Sequence, residues 1–316
     1  MASVRKAVIT AGGNGTRQYP ATNTIQKELI PMVDVDGYTK PTLQILLEDA
    51  LSAGIEEMCI IANPTNAEPI RAHFRGLSEE ELEHQFRGKD WALPLSQILD
   101  DIRSRLTIVV QQTQDGYGHA VYQAKDWVGD DPFVMLLGDH INIAGAGESC
   151  IHQITRAYDE SQSPVSSVER IPESDIKRYG TAAGEPVVGT SPPLYVMRTM
   201  AEKPTLEFAR ANLRTPGLPD NEYLCVYGVH ALTPDIFDCL DYLVKHDIRQ
   251  NGEIQFAAAQ KMLAEQRKYV LAELSSHQHD MGIPEGLLRT QLALALNSPY
   301  RDMVLSTVNS FMNRTH

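Results

Sequence analysis

A chain of 316 residues with 42% apolar side chains can bury a sizeable core, in one large α/β domain with a small appended lobe or in two domains. Its formal net charge of −13 excludes a general nucleic-acid binder, whose footprint is a basic excess, yet permits a phosphate ligand held by a few placed Arg and Lys with Mg²⁺. Cys59, Cys150, Cys225 and Cys239 are scattered, Met1-Ala2-Ser3-Val4 opens no signal peptide, and no apolar run spans a bilayer; a cytoplasmic protein without membrane or nucleic-acid partners is expected.

Residues 7–11 form a short β-branched run that ends in glycines, as a buried parallel strand opens into a loop. Leu43, Ile45, Leu46, Leu47 and Leu51 give residues 42–53 an apolar helical face, which Gly54 stops. Residues 58–62 are the next strand, so the chain opens as β-loop-α-β, the start of a doubly wound sheet. Residues 66–105 are charged and helical in pattern, with a helix starting at Glu79-Glu80-Glu81. Strands follow at 106–110 and 133–137, with a helix at 117–127 between them. Beyond Ile143 the alternation loosens: 165–168, 194–200, 225–229 and 269–274 read as strands, and 234–245, 253–266 and 284–297 as helices.

Four stretches carry chemistry. In Gly12-Gly13-Asn14-Gly15-Thr16-Arg17 the glycines let several N–H groups face one anion, and Arg17 adds a bidentate donor. Lys27 could supply a second point charge. The loop lacks the Walker A spacing, and Gln18 stands where a dinucleotide fingerprint needs its third glycine; on the residues alone an ordinary Gly-rich turn stays open. Gln111 and Gly116 flank a loop between strand and helix, where ligands bind in open α/β sheets, and a plain polar loop is the alternative. His119 in that stretch is equally a packing or capping residue. Asp139, after an apolar strand, and Asp280, after another, could converge on one Mg²⁺, which is held by one or two carboxylates with water and phosphate. Glu202 and Lys203 precede Pro204, where a solvated turn is the bland reading. His277 and His279 share a strand face, but two histidines alone make a weak metal site.

Ala11 to Arg17, with Pro20, Thr22, Lys27 and Leu29-Ile30-Pro31, resembles the G-x-G-T-R…K-x-x-P signature of sugar-1-phosphate nucleotidyltransferases, and is closest to their UTP–glucose-1-phosphate uridylyltransferase branch. The likeness extends from Val4 to about Gly286, with the motifs in the family's order. It implies a Rossmann-like three-layer α/β/α fold with a mixed, mostly parallel sheet and a small β-rich sugar-binding extension. The nucleotidyltransferase domain would span 1–286, with nucleotide binding in about 1–145 and sugar binding in about 146–286, followed by a helical segment at 287–316. The likeness further implies that Arg17 and Lys27 are catalytic and that Ala11, Gly12, Gly13, Gly15, Thr16, Gln111 and Gly116 bind the nucleotide. Gly180 (in Tyr179-Gly180), Glu202 and Lys203 would hold the sugar phosphate, Asp139 and Asp280 the Mg²⁺ cofactor, and the assembly would be a homo-oligomer. The substrates would be a nucleoside triphosphate and a sugar 1-phosphate.

Some stretches depart from the pattern. Gly138-Asp139 is closer to the thymidylyl branch, which would pass thymidylyl or another nucleotidyl group, whereas the long segment between Ile61 and Leu106 favours the uridylyl branch. Val33 to Pro41 is longer than usual, which predicts a small hairpin, and Met281-Gly282 lacks the family's following Asn-Lys. A non-catalytic sugar-nucleotide sensor on the same fold is the rival from another class. It would be free to lose the metal and leaving-group residues that stand here together.

Overall fold

The computed structural model describes residues 3–144 and 148–314, so the proposed boundary at 145/146 lies outside the described residues. Thirteen strands follow in chain order: β1 (Lys6–Thr10), β2 (Pro31–Val33), β3 (Thr39–Pro41), β4 (Glu57–Ala62), β5 (Leu106–Val110), β6 (Phe133–Leu137), β7 (His140–Ala144), β8 (Val165–Pro172), β9 (Gly180–Val187), β10 (Leu194–Glu202), β11 (Glu222–Leu232), β12 (Val270–Glu273) and β13 (Ser276–Asp280). Nine of them make one sheet in the order β5-β4-β1-β6-β11-β8-β12-β10-β9. The first four run parallel. Beyond β6 antiparallel pairing prevails, with β8–β12 the parallel exception, and β9 returns to pair with β11 so that this half curls. The sheet is mixed, as expected, with its parallel pairs gathered mainly in the first half.

Alternation along β1 builds the three layers. Ala7 and Ile9 pack with Leu43, Leu47 and Ile70 on one face, while Val8 packs with Val121, Phe237 and Leu240 on the other. Each fully buried aliphatic side chain contributes about 1.5–3 kcal/mol, so β1 is a poor place for motion and a good base for a site. The chain crosses from β5 on one side of β1 to β6 on the other. This makes β1/β6 a topological switch point, where carboxyl-end loops splay apart and leave a crevice.

The expected helix after Ser78 is present at Glu79–His84 with a full capping box, and the expected hairpin is β2–β3. Helix 117–127 is instead two short pieces, Tyr117–Tyr122 and Lys125–Val128. The helix expected from Glu253 begins only at Phe256. Residues 253–255 are drawn out of it by Ile254 N–H donating to Asp115 O (3.1 Å) and Gly118 N–H donating to Ile254 O (2.9 Å). Helix Cys150–Ser161, with its Ser149 cap, was not legible in the loosened pattern after Ile143. No described helix is long and apolar enough to cross a membrane.

Candidate active site

The loop after β1 is held by its carbonyls. Asn66 Nδ2 donates to Ala11 O (2.7 Å), Asn63 Nδ2 and Gln114 Nε2 donate to Gly12 O (3.2 and 2.7 Å), and Gln26 Nε2 donates to Gly13 O (2.6 Å). Among the described residues the backbone N–H groups of 12–15 have no acceptor. Four side-chain amides thus fix a loop whose donors remain unspent, which is the geometry of an anion cradle. None of these four was singled out in the sequence, because an amide that buttresses a loop from outside it has no local spacing signal. Gly12, Gly13 and Thr16 line the cavity in front of the loop. Ala11 does not: it is fully buried, with its N–H on Ile61 O (2.8 Å).

Two strand pairings bring the charged residues together. β13 runs antiparallel to β7 with Asp280 opposite His140, so Asp139 and Asp280 meet although they lie far apart in sequence. Met281 N–H donates to Asp139 O (2.9 Å), and Gly282 N–H donates to Asp280 Oδ1 (2.7 Å), locking both. Lys27 Nζ donates to Asp139 Oδ2 (2.5 Å), His140 Nδ1 lies 3.1 Å from Asp139 Oδ1, and Arg17 lies 3.7 Å from Asp280 Oδ2. Burial pushes Asp139 up, but the charges and hydrogen bonds of His140 and Lys27 outweigh it and hold the carboxyl well below its usual range. Burial likewise opposes the charge on Lys27, and Asp139 and Glu28 restore it.

Glu28 is the member that sequence reading missed. It is wholly buried, 3.4 Å from Lys27 Nζ, and neither carboxyl oxygen has a hydrogen-bond partner among the described residues. Desolvation pushes it up to about 7, against the pull of Lys27. Alternation cannot expose such a residue, since Lys27–Leu29 is a single 3-10 turn with no periodic face.

Gln111 and His119 form one unit. Gln111 Nε2 lies 2.9 Å from His119 Nδ1, which as the acceptor fixes the amide and leaves Oε1 over Gly12. A Cβ on Gly12 would sit 3.1 Å from that oxygen, so any larger residue would push the Gln111 amide aside. Gln123 Nε2 lies 3.1 Å from His119 Nε2 and donates to His119 O (3.3 Å), so the imidazole is packed between two amides. Gly116 lies in the left-handed region (φ 100°), and a Cβ there would meet Ile254 O at 2.7 Å. That contact already demands glycine, whatever the ligand. Gly116→Ala is expected to destabilise the fold by roughly 1–3 kcal/mol, read as a lowered Tm; an unchanged Tm would show that segment 253–255 is free to move aside.

The second half of the site is a hairpin. β9 and β10 pair with Gly180 opposite Glu202, which places the Tyr179-Gly180 and Glu202-Lys203 motifs face to face. Lys203 takes a left-handed backbone (φ 45°) and its N–H donates to Tyr179 O (3.2 Å), turning its side chain out of strand register 3.6 Å from Glu202 Oε1. On a wall nearby, His230 is buried among Ser166, Gln260 and Phe256, and desolvation lowers its pKa to about 3. The sign follows directly: between that value and its ordinary value of about 6.5 the unfolded chain binds the extra proton. Stability is therefore expected to fall on acidification, by about 2 kcal/mol at pH 5 from this group. Urea melts of wild type and His230→Asn at pH 7 and pH 5 check it, the variant losing less on acidification.

Asp139, His140 and Asp280 each offer a ligand atom within 4.8 Å of the others, a set suited to a divalent cation. Asp34, Asp36 and Glu48 also converge, but Lys40 already fills their centre at 2.6–2.9 Å. His277 and His279 join neither group; His277 is exposed and faces Glu169 at 3.3 Å.

Two adjoining cavities result. The larger, about 670 Å³, is lined by the glycine loop, Lys27, Gln111 and Asp139; the smaller, about 260 Å³, by Gly180, Met200, His230 and Asp280. Arg17, His140, Glu202 and Lys203 line both. Fold and site together define an α/β protein with two adjoining cavities that meet at Arg17 and Lys203. A family model described as nucleotidyl transferase matches residues 6–296, and the chain belongs to that family. It is 33% identical over 300 residues, 95% of each chain, to the UTP–glucose-1-phosphate uridylyltransferase of Staphylococcus epidermidis. Among solved structures it is similar to a UTP-bound UGPase from Acinetobacter baumannii (TM-score 0.77, 26% identity, 96% of this chain and 98% of that one). It is similar also to a UDP-glucose pyrophosphorylase complexed with UDP-glucose (TM-score 0.72, 26% identity, 92% and 98%).

Proposed function

We propose that this protein transfers the uridylyl group of UTP to glucose 1-phosphate, releasing pyrophosphate and UDP-glucose. The observation that carries this reading is the pair of cavities that meet at Arg17, His140 and Lys203. Ligand pockets run roughly 300–1,000 Å³ for drug-sized molecules, so the larger suits a nucleotide and the smaller a monosaccharide. The names of the relatives point to the same two substrates.

A phosphate oxygen of the sugar phosphate would form the new bond to the α-phosphorus as the bond to the β-phosphate oxygen breaks in line. Both phosphates are ionised, so no side chain need move a proton, and the chain's task is positioning and charge neutralisation. Arg17 would hold the leaving pyrophosphate, Lys27 the phosphates as charge develops, and Lys203 the acceptor phosphate beside Gly180 and Glu202. The N–H groups of 12–15 would cradle the triphosphate, and Gln111 Oε1, fixed by His119, would accept from the base. Asp139 and Asp280 would hold Mg²⁺, two oxygen donors being the set this cation takes, with His140 orienting Asp139. When bound, the cation would neutralise phosphate charge and fix the phosphate geometry. Exposed Leu288, Leu292 and Met303 on the last two helices support a homo-oligomer.

Gly138-Asp139 keeps a thymidylyl reading in play. The test is a panel of five nucleoside triphosphates against glucose 1-phosphate and other sugar 1-phosphates, with pyrophosphate release read with and without Mg²⁺. UTP with glucose 1-phosphate is expected to lead. A preference for dTTP would move the protein to the thymidylyl branch, and binding without turnover would favour a sensor.

A further inference from the structure

The smaller cavity contains a polar relay that the transfer chemistry leaves unused. Gln260 Nε2 lies 3.0 Å from Tyr269 Oη, Tyr269 Oη lies 2.7 Å from Ser166 Oγ, and Ser166 Oγ lies 2.7 Å from His230 Nδ1. Gln260 Nε2 also lies 2.9 Å from Ser166 Oγ, so its two protons face three acceptors. With that amide donating to tyrosine, the donors run from tyrosine to serine and from serine to imidazole. The longest contact of the same amide, 3.2 Å from His230 Nδ1, fits that nitrogen as an acceptor. In this arrangement the ring proton is on Nε2. Burial keeps the ring neutral at physiological pH, and the edge-on packing of Phe256, with centroids 5.5 Å apart, holds it in place. Nε2–H has no partner among the described residues, and His230 lines the cavity wall.

A donor that opens on the cavity with no acceptor among the described residues, on a ring backed by three polar residues, is a recognition group for an oxygen. Phosphate is handled at the seam by Arg17 and Lys203, whereas His230 lines only the smaller cavity. A neutral N–H donor suits a hydroxyl there, opposite the carboxylate of Glu202, which accepts from hydroxyls. We propose that His230 Nε2–H donates a hydrogen bond to one ring hydroxyl of the hexose and so selects the sugar. This assignment rests on reading the cavity as the sugar-phosphate subsite.

The test compares wild type with His230→Phe at saturating UTP, using glucose 1-phosphate and its 2-, 3-, 4- and 6-deoxy analogues. His230→Phe is expected to raise KM for glucose 1-phosphate about tenfold or more while KM for UTP stays within about twofold. For one deoxy analogue the difference between wild type and variant should then largely vanish, because the hydrogen bond is absent from both. Equal penalties on every analogue, or a matching rise in KM for UTP, overturn the proposal. His230→Gln, which keeps an N–H donor, is expected to recover some of the loss; no recovery counts against it. A readout that needs no variant is the Nε2–H proton resonance of His230, expected to shift on adding glucose 1-phosphate but not on adding the analogue singled out above. If wild type uses no hexose 1-phosphate, the subsite reading fails and this assignment with it. If it uses glucose 1-phosphate and the selective pattern is missing, the His230 assignment alone fails.

Discussion

Replacing Asp139 by Asn is expected to lower kcat for nucleotidyl transfer by about 10³-fold while the protein remains folded. The substitution preserves shape and can keep a hydrogen bond to His140, but it removes the charge of the most buried acid in the proposed cation site. Lys27 loses its 2.5 Å partner yet keeps Glu28 at 3.4 Å, so the buried ammonium is not left bare. The stability loss should therefore fall short of the ~3–5 kcal/mol typical of a broken buried pair. Titrating the divalent cation against initial rate separates the two effects: the variant should need far more cation and still turn over slowly. A kcat within tenfold of wild type at ordinary cation levels would remove Asp139 from the mechanism.

Lys27→Met should fail on two counts. Without the ammonium, Glu28 and Asp139 face each other at the base of the cavity, and Glu28, which has no hydrogen-bond partner among the described residues, loses its nearby cation. A loss of about 3–5 kcal/mol is expected from the unpaired buried charge, with kcat reduced about 10²–10³-fold. The pH dependence has a definite sign. A carboxyl whose folded pKa lies above its unfolded value binds more protons when folded, so stability falls as pH rises from about 4.5 towards that folded value. The variant should accordingly be less destabilised at pH 5 than at pH 8. Adding Glu28→Gln should restore part of the stability, since the charge of Glu28 leaves with that of Lys27 while Asp139 keeps only His140, but none of the rate. Urea melts and pyrophosphate release on the same samples check this; recovery of rate in the double variant would show Lys27 to be only a counter-ion.

Much of the molecule was legible without a structure. The run at 7–11, the helix face from Leu43 to Leu51 and the strands at 58–62, 106–110 and 133–137 repeat with periods that the backbone itself imposes. They are correct because each element buries its own apolar residues. The glycine loop and the strand-end Asp139 and Asp280 stood out by residue type and spacing, whereas Gln111 and Glu202 were singled out by the resemblance of their motifs. Residues 117–127 and 253–266 show the limit. Both have helical composition, yet backbone hydrogen bonds between Asp115, Gly118 and Ile254 draw 253–255 into an extended segment.

By itself the sequence determined which residue types lie at which strand ends, and so the doubly wound start and the set of glycine, basic and acidic residues of the candidate site. Only the tertiary structure decided how that set is assembled. β13 had to pair with β7 before Asp280 could reach Asp139, and β9 with β10 before Gly180 could face Glu202. The residues that set the electrostatics and geometry of the site, Glu28, His140, Asn63, Asn66 and the Ser166–His230 relay, were decided there as well. Their roles come from burial and from partners distant in sequence, and hydrophobic periodicity encodes only which side of an element is dry.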